Sequence, residues 1–354
     1  MKKVFLSLVV AMLATVNGIA QQIAVVKGSA TQVCQTLTEA IECAQEGSVI
    51  YLPGGAFVIQ DSVKIKKRLT IVGISHKANS DNADGYTRIL GNLFFNEGSS
   101  NSALMGCYVT GTANIGEDGA AVKDITIRYC NLGSINVLNN QCGGIIVNQN
   151  YVRSHAYFGY TTAYITNNVM YTIQNIDGGT IECNILLGEH AKSWGGTLCI
   201  RDGNNCSIMR NILGTYRPYE NWTACSGCQI EDNMRKQVSN YGDFGDNCIN
   251  ISEEDWANLF TKNSGINPAS NFHFTENFKQ YEDKVGIYAG TSFSDGVLPP
   301  VPYISEKKIA EQTDAAGKLK IYIKVKASDG TIQGGATGGS EQDQPVNSGD
   351  EEGM

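Results

Sequence analysis

Tyr164–Gly188 reads YITNNVMYTIQNIDGGTIECNILLG, and its spacing decides the fold. The stretch is almost free of charge and shows no helical periodicity. Asn168 and Asn184 stand 16 residues apart, each followed by an apolar pair, Val169-Met170 and Ile185-Leu186. The unit recurs on both sides as LMGCYVTG, IRYCNLGS, VNQNYVRS, ITNNVMYT, IECNILLG, IMRNILGT and IEDNMRKQ. Aligned, the shared column holds Cys107, Asn131, Asn150, Asn168, Asn184, Asn211 and Asn233, at spacings of 24, 19, 18, 16, 27 and 22.

A period of about 20 residues built from short strands is one coil of a solenoid. A leucine-rich repeat needs leucines at fixed offsets, and these units lack them. A β-helix fits, with apolar side chains stacked inward and insertions leaving at the turns. From Val49 to Gln237, roughly nine coils at the spacing of paired strands would give a rod about 40 Å long. A sharp bend between strands takes one residue left-handed, which asparagine tolerates. Turned inward, its amide can donate to and accept from the backbone or amides of the coils above and below. Stacking then satisfies buried polar groups that would cost about 1–3 kcal/mol each if unpaired. The expected ladder is Asn131, Asn150, Asn168, Asn184, Asn211 and Asn233, with Cys107 at its end.

Composition agrees with a β-rich chain. Of 354 residues only 18% are charged, and 39 glycines against 7 prolines suit many tight turns. The N-terminus, MKKVFLSLVVAMLATVNGIAQQ, has Lys2 and Lys3, an apolar run from Phe5 to Val16, and small residues before Gln21. It reads as a secretory signal over 1–20, cleaved after Ala20. The run is too short to span a membrane, no later one is longer, and the mature chain is expected to lack a transmembrane segment. Export would place the protein in the periplasm, at the cell surface or outside the cell. Export also permits disulfides, but eleven cysteines cannot all pair internally. Most read as small apolar fillers of a narrow core. The net charge is −8, and Ser328–Met354 carries six acids and no base. Nucleic acid is disfavoured as a partner, because phosphate binding needs a basic face.

Toward the N-terminus, TQVCQTLTEAIECAQEG predicts a short helix opened by a Thr36/Glu39 capping box and ended at Gly47. Short strands follow at Val49–Leu52, Phe57–Ile59, Val63–Ile65 and Leu69–Val72. The entry TLTEAIECAQEGSVIYLPGGAFVI resembles the opening of the pectate-lyase-like superfamily. There a helix covers the open end of the rod, and a Gly-x-x-Ile-x-x-Pro-x-Gly run starts the first coil. The asparagine column resembles that superfamily's ladder. The resemblance covers about residues 23–240 and implies an all-β, right-handed parallel β-helix with an N-terminal capping helix.

The expected organisation is a β-helix over 21–250, a C-terminal helix and β-hairpin appendage over 251–327, and a disordered acidic tail over 328–354. Glu253–Phe260 predicts a short helix with Trp256, Leu259 and Phe260 on one side. KLKIYIKVKA alternates strictly and predicts a strand paired with Tyr303–Ile309. The segment with Gly-Ile-Tyr-x-Gly and Pro-x-Pro-x-Ile resembles the carboxy-terminal part of exported β-helix proteins from Bacteroidetes.

Many members of the superfamily cleave polysaccharides. Polygalacturonase-like hydrolysis needs converging carboxylates, and the resemblance would demand Asn-Thr-Asp, Asp-Asp, Gly-His-Gly and Arg-Ile-Lys blocks. Lyase chemistry needs a basic residue as base, and calcium would enter as a cofactor only under that reading. Its Trp-x-Asp-His and Arg-x-Pro-x-x-Arg blocks are absent, as are the hydrolase blocks. Otherwise no cofactor or metal is expected. Cys225-x-x-Cys228 reads as a local disulfide or two packed thiols, since zinc would want two further spaced ligands. Polar residues do gather near the 27-residue gap between Asn184 and Asn211. His190, Lys192, Trp194, Arg201 and Asp202 form the candidate carbohydrate groove, because loops flanking a solenoid face build its groove. The favoured function is a non-catalytic carbohydrate-interacting or cell-surface protein, its partner a polysaccharide or glycan. The alternatives are a divergent polysaccharide lyase or glycoside hydrolase, and a structural or adhesive rod. Three acids or bases converging on adjacent coils would mark an enzyme.

Overall fold

The structure is a computed structural model that describes residues 22–60, 63–77, 85–188, 199–214, 225–236, 245–266, 269–290, 293, 303–313 and 319–326. The segment read as a secretory signal, residues 1–20, and the acidic segment 328–354 lie outside the described residues.

Alternation around a β-branched or aliphatic centre generates the strands. Thr126-Ile127-Arg128, Ile146-Val147-Asn148 and Tyr164-Ile165-Thr166 each bury the central residue and turn its neighbours outward. These three align in parallel register, Ile127 with Val147 and Val147 with Ile165. The register extends through Ile50, Ile71, Leu104, Ile181 and Ile208, all with no exposed surface. A second register aligns Leu132, Val152, Met170, Leu186 and Leu213. A third aligns Leu93, Ala113, Ile135, Ala156, Ile173 and Ile200. The three inward columns share one hydrophobic core. Strands of this region pair with strands about one repeat before and after them, and the described residues form a single 22-stranded sheet, parallel nearly throughout. Antiparallel pairing enters at its N-terminal edge, where Ile23–Lys27 pairs with both Ala30–Cys34 and Ser48–Leu52.

Helix Leu37–Cys43 buries Leu37, Ala40 and Ile41 in the same core. Thr36 caps it by accepting from the Glu39 N–H at 3.1 Å, while Glu39 reaches back to the Gln35 N–H at 2.9 Å. The helix stops at Cys43, four residues before the expected Gly47. Lys67 replaces the glycine as terminator, donating to the carbonyls of Glu42 and Ala44 at 2.9 and 2.7 Å.

The C-terminal part packs outside the sheet. Tyr151, Val169, Ile185, Ile212 and Met234 align in register and face away from the main core. Leu259, Phe260, Phe272, Phe274, Val285, Ile287 and Phe293 cover them as a second apolar cluster. Gly286 N–H donates to the Arg210 carbonyl at 2.7 Å, and the Asn167 amide donates to Ile287 and Ala289 carbonyls. The predicted helix over Glu253–Phe260 is shorter, Glu253–Ala257, because Phe260 begins a strand paired with Asn271–Phe274. Tyr303–Thr313 and Leu319–Lys326 form an antiparallel two-stranded sheet, as the alternation predicts.

The bend of each repeat differs from expectation in two ways. The left-handed residue precedes the asparagine. Gln149, Asn167, Cys183, Arg210 and Asp232 have φ of 53–55°, and each sits immediately before a buried asparagine. The asparagine itself is therefore free to turn inward. In addition, Asn131 is not a rung. It pairs with Tyr151, one position past the column, so Cys130 stands opposite Asn150 and Cys107 opposite Cys130. The apolar residues after Asn131 misled the alignment by one position.

Candidate functional site

The ladder is the most ordered polar feature of the fold. Asn150, Asn168, Asn184, Asn211 and Asn233 have no exposed surface. Each of the first four donates its backbone N–H to the next asparagine's Oδ1 at 2.9 Å, and its Nδ2 to the same oxygen at 3.0 Å. Nδ2 also donates to the carbonyl two residues back and to an inward strand of the preceding repeat. For Asn184 these are Glu182 at 3.0 Å and Ile165 at 2.8 Å. Every donor and acceptor of the interior amides is engaged, so they hold the bend and have no capacity left for chemistry.

Cysteine takes the same position at the N-terminal end. The Cys130 N–H donates to Asn150 Oδ1 at 2.9 Å, while its Sγ points at the carbonyls of Arg128 at 3.1 Å and Leu104 at 3.7 Å. These are the two carbonyl positions an asparagine Nδ2 would use. Burial pushes the Cys130 thiol up to about 12, so it stays protonated. At the other end, in register after Asn233, Cys248 holds the position. Of the Cys225-x-x-Cys228 pair, Cys228 Sγ lies 3.2 Å from the Gly203 carbonyl and accepts the Cys206 N–H at 3.3 Å. Burial pushes the Cys206 and Cys225 thiols up to about 12. The three behave as packed thiols.

Of the candidate groove, His190, Lys192 and Trp194 lie outside the described residues. Arg201 and Asp202 open the strand Ile200–Met209. Arg201 aligns outward with Gln174 and Tyr157, is 62% exposed, and has its Nε 3.7 Å from the Asp202 carboxylate. Asp202 itself is left-handed at φ 52°. An exposed pair at that distance contributes little to stability. Arg153, another polar residue near a rung, is structural. It donates to the Val109 and Thr110 carbonyls at 2.8 and 3.1 Å, contacts the Asn131 amide oxygen, and lies 4.5 Å from the Tyr108 ring centre.

A separate surface collects polar side chains in rows. Thr126, Ile146, Tyr164, Thr180, Ser207 and Gln229 align outward across adjacent strands. Within this row Tyr164 and Ile146 are 47% and 39% exposed side by side. The adjoining row contains Arg128, Asn148, Thr166 and Glu182. Arg128 Nε donates to Asn148 Oδ1 at 3.0 Å, and Asn148 Nδ2 donates to Thr166 Oγ1 at 2.8 Å. Arg210 lies 3.6 Å from Glu182 at the end of the row. The result is a flat face with an aromatic ring, an aliphatic neighbour and pre-oriented amide, hydroxyl and guanidinium groups. Such a surface suits a ligand carrying both apolar faces and hydroxyl groups. The signal for it was the alternation flanking each inward isoleucine or valine, which a search for charged clusters passes over. Among the described residues, no three His, Cys, Asp or Glu side chains lie close enough to hold a metal ion. No helix among them is long and apolar enough to cross a membrane.

No protein-family model matches the chain, and neither does any curated protein or solved structure.

Proposed function

We propose that the chain is an exported right-handed parallel β-helix whose helix Leu37–Cys43 caps one end, and that it contacts carbohydrate without cleaving it. The parallel pairing of strands one repeat apart supports the fold. The observation that carries the function is the exposed Tyr164–Ile146 pair beside the Arg128–Asn148–Thr166 hydrogen-bonded row. Aromatic rings stack on the apolar faces of sugars, and the neighbouring amide, hydroxyl and guanidinium groups match their hydroxyls. Groups fixed by strands lose little freedom on binding, which favours affinity from a small face.

The test combines a glycan array with an ultraviolet assay for unsaturated products from uronate polymers. Binding that is lost in Tyr164→Ala, with no unsaturated product, supports the reading. Unsaturated product would replace it with a lyase. No glycan binding at high protein concentration would favour a structural rod.

A further inference from the structure

We infer that Cys34 and Cys43 form a disulfide that ties helix Leu37–Cys43 to the hairpin Ile23–Cys34 at the N-terminal edge of the sheet. Their sulfurs lie 3.1 Å apart. The two elements reach this distance independently. Cys34 ends a strand held in register with Ile23, and Cys43 ends a helix fixed by Thr36 at one end and Lys67 at the other. A disulfide needs the sulfurs at about 2.05 Å, an approach of about 1 Å that small side-chain rotations supply. Cys43 Sγ also lies 3.5 Å from the Ala40 carbonyl, and two other thiols are directed at backbone carbonyls, Cys130 at Arg128 and Cys199 at Leu186, both at 3.1 Å.

The oxidant is a small or protein disulfide of the glutathione or thiol–disulfide exchange class. Cys43 is the more exposed thiol and reacts first. Its thiolate attacks one sulfur of the oxidant, whose other sulfur leaves as a thiolate and takes up a proton. Cys34 then loses its proton to solvent and attacks Cys43 Sγ, releasing the second half of the oxidant as a thiol. Two protein thiols are oxidised, and one disulfide is reduced to two thiols. Burial and the neighbouring Cys43 thiol push the Cys34 thiol up to about 12. Attack requires the Cys34 thiolate, so the second step accelerates as pH rises.

The bond has a mechanical consequence. Among the described residues Ala30–Cys34 pairs on one side only, with Ile23–Lys27, and leaves its other edge unpaired. Such an edge can pair with another chain. Fastening it to the helix holds the edge in place and restricts the unfolded chain.

In the cell this bond rests on the proposed export, but the pairing is tested on purified protein. The full reduced chain is incubated with oxidised and reduced glutathione, and the remaining thiols are alkylated under denaturing conditions. The chain is then cut with a glutamate-specific protease. Glu39 and Glu42 lie between the two cysteines, so they fall on separate peptides. The expected result is that these peptides stay joined, two hydrogens lighter than their sum, until a reductant is added. Cys34→Ser should give no joined peptide, with Cys43 either alkylated or carrying one glutathione, and an unchanged circular dichroism spectrum. Both cysteines alkylated in natively folded wild-type protein would overturn the inference. Joined peptides in the purified protein but not in protein recovered from the cell would support the pairing and count against export.

Discussion

Asn184 and Cys130 hold the same position in the repeat, and the difference between them shows what the ladder requires. Asn184 lies in its interior, with a rung on each side. It must accept from Asn168 through Oδ1 and donate to Asn211, Glu182 and Ile165 through Nδ2. Only a primary amide combines an acceptor oxygen with two donor hydrogens. Cys130 lies toward the N-terminal end, where the preceding position is Cys107 and no asparagine needs an acceptor. A weak thiol donor aimed at Arg128 and Leu104 suffices there. The chain thus places asparagine through the interior of the column and cysteine toward its two ends, at Cys107, Cys130 and Cys248.

Breaking the interior should have the largest effect. Asn184→Ala deletes the buried acceptor of the Asn168 N–H, and should lower the unfolding free energy by about 3 kcal/mol. Urea denaturation checks this through a lower midpoint with an unchanged slope.

Nearly as large is an effect of pH beside the cysteine end. His76 is fully buried, and burial holds it neutral, lowering its pKa from 6.5 to about 4. Its Nδ1 faces the carbonyl of Tyr129, the residue before Cys130, at 3.0 Å, and its ring lies 5.7 Å from that of Tyr151. The folded state binds this proton less readily than the unfolded chain. The stabilisation is therefore present above pH 6.5 and is lost as pH falls toward 4, by about 3 kcal/mol in total. Denaturation across that window should show the loss, and His76→Gln should flatten it.

Cys130→Ala should cost only about 1 kcal/mol, a small cavity plus a weak donor. Cys130→Asn sharpens the contrast. It should recover that loss by adding a rung above Asn150, within about 1 kcal/mol of wild type by the same denaturation. The smallest effect is expected at the surface. Tyr164→Ala should alter the denaturation midpoint by no more than about 0.5 kcal/mol in free energy, while removing glycan binding.

Most of the architecture was legible because period and alternation are local properties. Asn168 with Val169-Met170 and Asn184 with Ile185-Leu186 gave the repeat, and KLKIYIKVKA gave its strand. Asn131 misled because it, too, precedes an apolar residue. Only the register with Tyr151 shows that Cys130 is the rung. The left-handed position escaped notice because Gln149, Cys183 and Arg210 share no chemical type. Their conformation is imposed by the inward turn of the next residue. The flank formed by Tyr151, Val169 and Ile185 was hidden as well, since its partners Phe272 and Ile287 lie about a hundred residues further along. The exposed face at Tyr164 is legible in the alternation, but the charged residues near the long gap carry the stronger local signal.

Hydrogen exchange at the rung amides tests the central claim, that these asparagines are architecture. The N–H groups of Cys130, Asn150, Asn168, Asn184 and Asn211 each donate to an asparagine Oδ1 in the next repeat at 2.9 Å. In Asn184→Ala under native conditions, the account predicts a selective loss of protection at Asn168, with the amides of Cys130 and Asn211 still slow. Unchanged protection at Asn168 would contradict it.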